Sequence, residues 1–140
     1  MHKGGSPRDH DRVPHRSRLA ILLLDLPPDQ HAAGRDFWSA ATGRSAKTDP
    51  TDDKWSSLGS FAGGFHVEVQ RTGAGTPPRW HVDIETDDIP AEVARLEALG
   101  ARRLADMGSF WQLTDPAGLV FCVVGIQTRE EFERHATTWP

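Results

Sequence analysis

Two stretches of unbroken alternation constrain this chain most: Phe65-His66-Val67-Glu68-Val69-Gln70 and Trp80-His81-Val82-Asp83-Ile84-Glu85. A period of two sends successive side chains to opposite faces, so each stretch is a strand with one apolar and one polar face. Between them Thr72-Gly73-Ala74-Gly75-Thr76-Pro77-Pro78 reads as a linker. The order of elements before it is repeated after it.

Before the linker, Leu19–Leu24 is a continuous apolar run that suits a strand covered on both faces, bounded by Asp25-Leu26-Pro27-Pro28. Asp29 is placed to cap a helix carrying Ala33, Phe37 and Ala41 on one stripe, with Gly43 at its end. Trp55–Phe61 is a short strand ahead of Phe65–Gln70. After the linker, Asp88 caps a helix with Ile89, Val93, Leu96 and Leu99 in line, ending at Gly100. Arg102–Ala105 and Ser109–Leu113 are short strands. Asp115-Pro116-Ala117-Gly118 is a type I turn pattern leading into the apolar strand Leu119–Val124. Thr128-Arg129-Glu130-Glu131 has the form of a capping box for a short C-terminal helix. The expected fold class is α+β, two βαβββ modules in a curved mixed sheet, although a ferredoxin-like domain shares much of this order.

The 140 residues are enough for one domain. The expected organisation is a disordered basic leader over 1–17, one domain over 18–126 (modules 18–72 and 79–126), and a short helix and tail over 127–140. The leader lacks apolar periodicity, and its basic residues outnumber its acidic ones against a net charge of −4 for the whole chain. So small an excess does not point to nucleic acid. No apolar stretch reaches membrane-spanning length, and no signal-peptide pattern is present. The single Cys excludes an intrachain disulfide, and the expected location is cytoplasmic.

Several fragments in order resemble the vicinal oxygen chelate superfamily, which includes glyoxalases, extradiol dioxygenases and bleomycin-resistance proteins. They are Phe37-Trp38 through Gly43, His81 through Ile89, Glu92 through Ala101, Asp115-Pro116-Ala117-Gly118, and the closing Phe121-Cys122-Val123-Val124, which is similar to a glyoxalase-like subgroup. The resemblance implies a cup-shaped sheet, a homodimer, and in catalytic members a divalent metal held by about four ligands. Carried over by position, Glu68 and His81 match two ligand positions. Ala20 and Cys122 stand at the other two.

The resulting expectations are specific. Catalytic roles fall to His81 and Glu68, with a carboxylate partner (Glu68 or Asp83) orienting the imidazole. His66, Asp83, Trp111, Trp55 and Cys122 are candidates for ligand binding, the tryptophans by stacking on a planar molecule. If a metal such as zinc, nickel, manganese or iron is bound, Glu68, His81 and Cys122 supply its ligands. The favoured reading has no cofactor and a small organic molecule in the cup. Asp83 and Glu85 there suit a cationic ligand. The alternatives are a metal-dependent lyase or dioxygenase using Glu68 and His81, and a drug-sequestering resistance protein. Trp38 and Trp80 are expected between helix and sheet. Trp139 is expected to be either disordered or an anchor for a second subunit. The sequence leaves the ligand and the enzyme-or-binder question open.

Overall fold

A computed structural model describes residues 13–140. Its strands are β1 (His15–Leu26), β2 (Lys47–Thr48), β3 (Trp55–Ser60), β4 (His66–Arg71), β5 (Arg79–Thr86), β6 (Arg102–Asp106), β7 (Trp111–Thr114), β8 (Val120–Gly125) and β9 (Thr137–Trp139). The helices are α1 (Pro28–Thr42), α2 (Ile89–Ala98) and α3 (Arg129–His135). Each half is therefore a βαβββ module, β1-α1-β2-β3-β4 and β5-α2-β6-β7-β8.

All strands join one sheet in the order β2-β3-β4-β1-β5-β8-β7-β6. The first strands of the two modules, β1 and β5, pair antiparallel at its centre, and each has the last strand of its own module parallel on its outer side. This explains the two continuous apolar runs. A strand hydrogen-bonded on both edges and covered on both faces has no side left for water.

Pairing register assigns the faces, because directly opposed residues project the same way. Leu24 opposes Trp80 and Leu22 opposes Val82. This face carries α1 and α2. Leu24, Leu26, Leu58 and Val69 pack with Trp38 of α1, while Leu113, Phe121 and Val123 pack with Val93 of α2. On the other face Ile21 opposes Asp83, Leu23 opposes both His81 and Glu68, and Asp83 opposes Cys122.

Asp88 caps α2 as expected, its carboxylate accepting from the Ala91 amide at 3.1 Å. Gly43 ends α1 with φ of 69°, left-handed geometry that glycine adopts without steric cost. Other expectations are corrected. Pro27, not Asp29, precedes α1, whose first residue is Pro28; proline's fixed φ suits that position. Ala33, Phe37 and Ala41 face solvent. The packed side is His31, Gly34 and Trp38; glycine lets the helix lie close against Leu26, since a Cβ at Gly34 would stand 2.5 Å from Leu26 Cδ1 and displace that side chain. Thr128 caps nothing with its side chain, since its hydroxyl donates to Glu85 Oε2 at 2.8 Å.

The leader expectation is corrected in part. Residues 1–12 lie outside the described residues, but His15, Arg16 and Ser17 begin β1. They pair with β9 on the side of β1 that β4 takes over further along. Polar contacts hold this end: His15 Nε2 is 2.9 Å from Glu92 Oε1, and Trp139 Nε1 donates to Ser17 Oγ at 2.9 Å. Trp139 is therefore tied to its own chain, not loose. The Arg95 guanidinium stacks on its ring, 3.7 Å from the centroid. Among the described residues no helix is long and apolar enough to cross a membrane.

Candidate functional site

The face opposite α1 and α2 is not an ordinary wet face. His81, Asp83, Glu85 and Cys122 are all buried there, beside Ile21 and Leu23. Polar groups removed from water need partners, and most of these have them, Asp83 Oδ1 being an exception.

Asp25, the residue that ends the apolar run of β1, is 1% exposed and organises the centre. It lies opposite Arg79 and diagonal to His81 across the β1–β5 pair. His81 Nδ1 is 2.6 Å from Asp25 Oδ2, and Arg79 Nε donates to the same oxygen at 3.1 Å. On the other side of the ring, His81 Nε2 is 3.4 Å from Asp83 Oδ1, within ion-pair range but without hydrogen-bond geometry. Burial alone would push the imidazole down, but Asp25, Asp83 and the Cys122 thiol outweigh it and raise it from 6.5 to about 11. Raised in this way, the imidazole is suited to the acid half of an acid–base role.

Glu68 does not partner His81. Leu23 stands between them in the sheet, opposed to Glu68 on one side and to His81 on the other. Two strand spacings of about 4.8 Å separate their backbones. Glu68 instead lines an open cavity of about 640 Å³ with Lys47, Asp49, Trp55, Asp83 and Gln127. Burial raises its carboxyl, and the charges of Asp83 and Asp49 add to this. Asp83 is also raised, chiefly by burial, against the lowering effect of His81.

Of the other expected residues, Trp55 lines the cavity and packs on the cluster of Ala20, Ile21 and Leu23. Cys122 lies beside His81 and Asp83. His66 shares the face but sits at the start of β4, outside the cavity lining. Trp111 is corrected: it opposes Val123, packs in the cluster under α2, and has the Arg103 guanidinium over its ring. It is on the wrong face to meet a molecule in the cup. Trp38 and Trp80 stack edge to face at 5.2 Å on the helical side, Trp80 about half exposed. Glu85 gives the cup no free charge. It accepts from the Gln127 and Thr128 amides and lies 3.7 Å from Arg18 Nε.

The expected metal set of Glu68, His81 and Cys122 is corrected too. The donor atoms that converge, all within 4.8 Å of one another, belong to His81, Asp83 and Cys122. The β1 position is corrected from Ala20, which sits at a register shift, to Leu23, which lies next to both His81 and Glu68; neither side chain is a ligand, so the usual set does not fit. Sequence reading missed Asp25, taken as the end of a run. The available signal was its parity: it is two residues beyond Leu23, on the same face as His81.

A family profile described as Glyoxalase-like domain matches residues 22–124. A search of curated proteins returns no match. Among solved structures, a Mn(II)-bound glyoxalase from Novosphingobium aromaticivorans aligns with TM-score 0.53 at 15% identity, covering 81% of this chain and 40% of that one. A methylmalonyl-CoA epimerase from Streptomyces coelicolor aligns with TM-score 0.52 at 16% identity, covering 79% and 98%. An extradiol ring-cleaving dioxygenase from B. fuscum aligns with TM-score 0.55 at 17% identity, covering 89% and 36%. Identities this low speak for the fold alone, and the fold agrees with the profile: the chain belongs to the glyoxalase-like domain family.

Proposed function

We propose that this domain binds a small organic molecule in its cup, beside Trp55, Glu68 and Asp83, without the family's usual metal centre. The observation that carries this is the cavity itself. It is of the size that small-molecule sites occupy, has one aromatic wall, and burial raises the carboxyls of both Glu68 and Asp83 in its lining. The usual centre is left out because Leu23 and Cys122 stand where oxygen or nitrogen ligands are needed. The homodimer and the cytoplasmic setting remain parts of this proposal, the first checked by light scattering of the purified chain.

The test is a fluorescence screen of fragment-sized organic molecules against chelator-treated protein. Saturable quenching that weakens in Glu68→Gln supports the reading. Binding that appears only after metal is restored overturns it. Recovery of a bound molecule unchanged identifies a sequestering protein, and its conversion identifies an enzyme. A preference for anions over cations of equal size would remove the acidic lining from the account.

A further inference from the structure

We propose that Cys122 is a nucleophilic thiol, activated by the His81 imidazole that Asp25 orients, and that it captures small α,β-unsaturated carbonyl compounds by conjugate addition. This rests on the reading of the cup as a small-molecule site and adds a reaction to it. Carboxylate, imidazole and thiol stand in the order that activates a nucleophile. Asp25 Oδ2 holds His81 Nδ1 at 2.6 Å, which leaves Nε2 as the free ring nitrogen. The Cys122 sulfur and a ring nitrogen of His81 lie within 4.8 Å of each other, with a carboxylate oxygen of Asp83 inside the same limit.

A buried cysteine is ordinarily a small piece of apolar core. Cys122 has no apolar setting. Its neighbours across the sheet are Asp83 on β5 and Gln112 on β7. Phe121 and Val123, on either side of it in sequence, turn to the opposite face and fill the cluster under α2. The thiol is free, and at 5% exposed it is closed to large molecules. Asp83 joins it to the cavity. That residue lines the cavity, and its buried Oδ1 has no hydrogen-bond partner, an unmet bond that a bound molecule would satisfy. Burial pushes the carboxyl toward its protonated form, in which it donates to a carbonyl oxygen.

The reaction needs only what the site holds. The thiol proton passes to His81 Nε2 as sulfur attacks the β carbon. A carbon–sulfur bond forms, and the electron pair of the carbon–carbon double bond moves onto the carbonyl as an enolate. His81 then returns the proton to the α carbon. One S–H bond and one π bond are lost, one C–S and one C–H bond are gained, and no oxidant, leaving group or second reactant takes part. The product is a thioether that stays on the chain.

The experiment treats the full chain, with a chelator present, with cyclohexenone and follows adduct formation by intact mass. Cys122 is the only cysteine, so peptide mapping assigns the adduct without ambiguity. One adduct per chain is expected, forming roughly tenfold or more faster than on free glutathione and faster than on the same chain unfolded in urea. Cys122→Ser should form none. His81→Gln should lower the limiting rate about 100-fold. Asp25→Asn, a positioning change, should also lower the limiting rate and leave the half-saturating concentration as in wild type. Far-ultraviolet circular dichroism separates lost chemistry from lost folding in each variant. A thiol that reacts more slowly in the folded chain than in urea overturns the proposal, as does an unchanged limiting rate in folded His81→Gln. Saturable tryptophan quenching by cyclohexenone without an adduct overturns it and leaves the cup reading standing. A fast adduct whose rate rises linearly with the enone, with no saturation, supports the thiol and removes the cup reading.

Discussion

His81 Nδ1 lies 2.6 Å from Asp25 Oδ2, joining the first strands of the two modules at the centre of the sheet. Arg79 shares the same carboxylate oxygen, so one buried group holds two basic side chains. Removing one partner from such a pair leaves uncompensated buried charge, which costs about 3–5 kcal/mol. Asp25→Asn should lower the unfolding free energy obtained from urea titration by an amount in that range. A double-mutant cycle with His81→Gln should show strong coupling, the double variant losing less than the two singles together. Additive losses would mean the pair is incidental.

Trp55 and Trp111 should respond differently to a molecule in the cup. Trp55 lines the cavity and Trp111 packs under α2. Trp55→Phe should remove ligand-induced quenching, while Trp111→Phe leaves it in place at some cost in stability. The opposite result would reverse the assignment of faces.

The C-terminal strand should stabilise the start of β1. Trp139→Ala removes the Arg95 stack and the hydrogen bond to Ser17. Together these are worth about 2 kcal/mol. Hydrogen exchange should accelerate at the β1 amides that face β9 and stay slow where β4 pairs. Uniform protection along β1 in the variant would refute this.

Glu92 should make the protein acid-sensitive. Burial alone would raise its carboxyl, but Arg95, Ser17 and His15 outweigh this and hold it below its ordinary value of 4.5. With the folded value below the unfolded one, the unfolded state binds more protons on the acid side. The stabilisation is fully present above 4.5 and is lost as pH falls through the folded value. Urea midpoints measured from neutral pH downward should fall in this window, and Glu92→Gln should flatten that part of the profile while lowering the plateau. An unchanged acid limb would assign the sensitivity to other carboxylates.

The fold was legible because its signals are local. Alternation in Phe65–Gln70 and Trp80–Glu85, the Asp88 cap, the Gly43 stop and the Asp115 turn each act within a few residues, and repetition of their order implies the paired modules. The stripe in α1 was misread because the helix approaches the sheet through a missing side chain, Gly34, which carries no hydropathy signal. The strand at His15–Ser17 was missed because its partner, Thr137–Trp139, lies at the far end of the chain.

The residues of the site divide in the same way. Sequence alone determined that Glu68, His81 and Asp83 lie on polar strand faces, since a period of two needs no tertiary information. Only the register of β1 against β4 and β5 decided which of them meet. It inserts Leu23 between Glu68 and His81, places Asp25 on the imidazole, and puts Cys122 opposite Asp83. A one-residue slip would send each β1 side chain to the other face, and nothing within a single strand encodes that choice. It is made by burying Leu24 and Leu26 under α1 and leaving Leu23 and Asp25 to the cup.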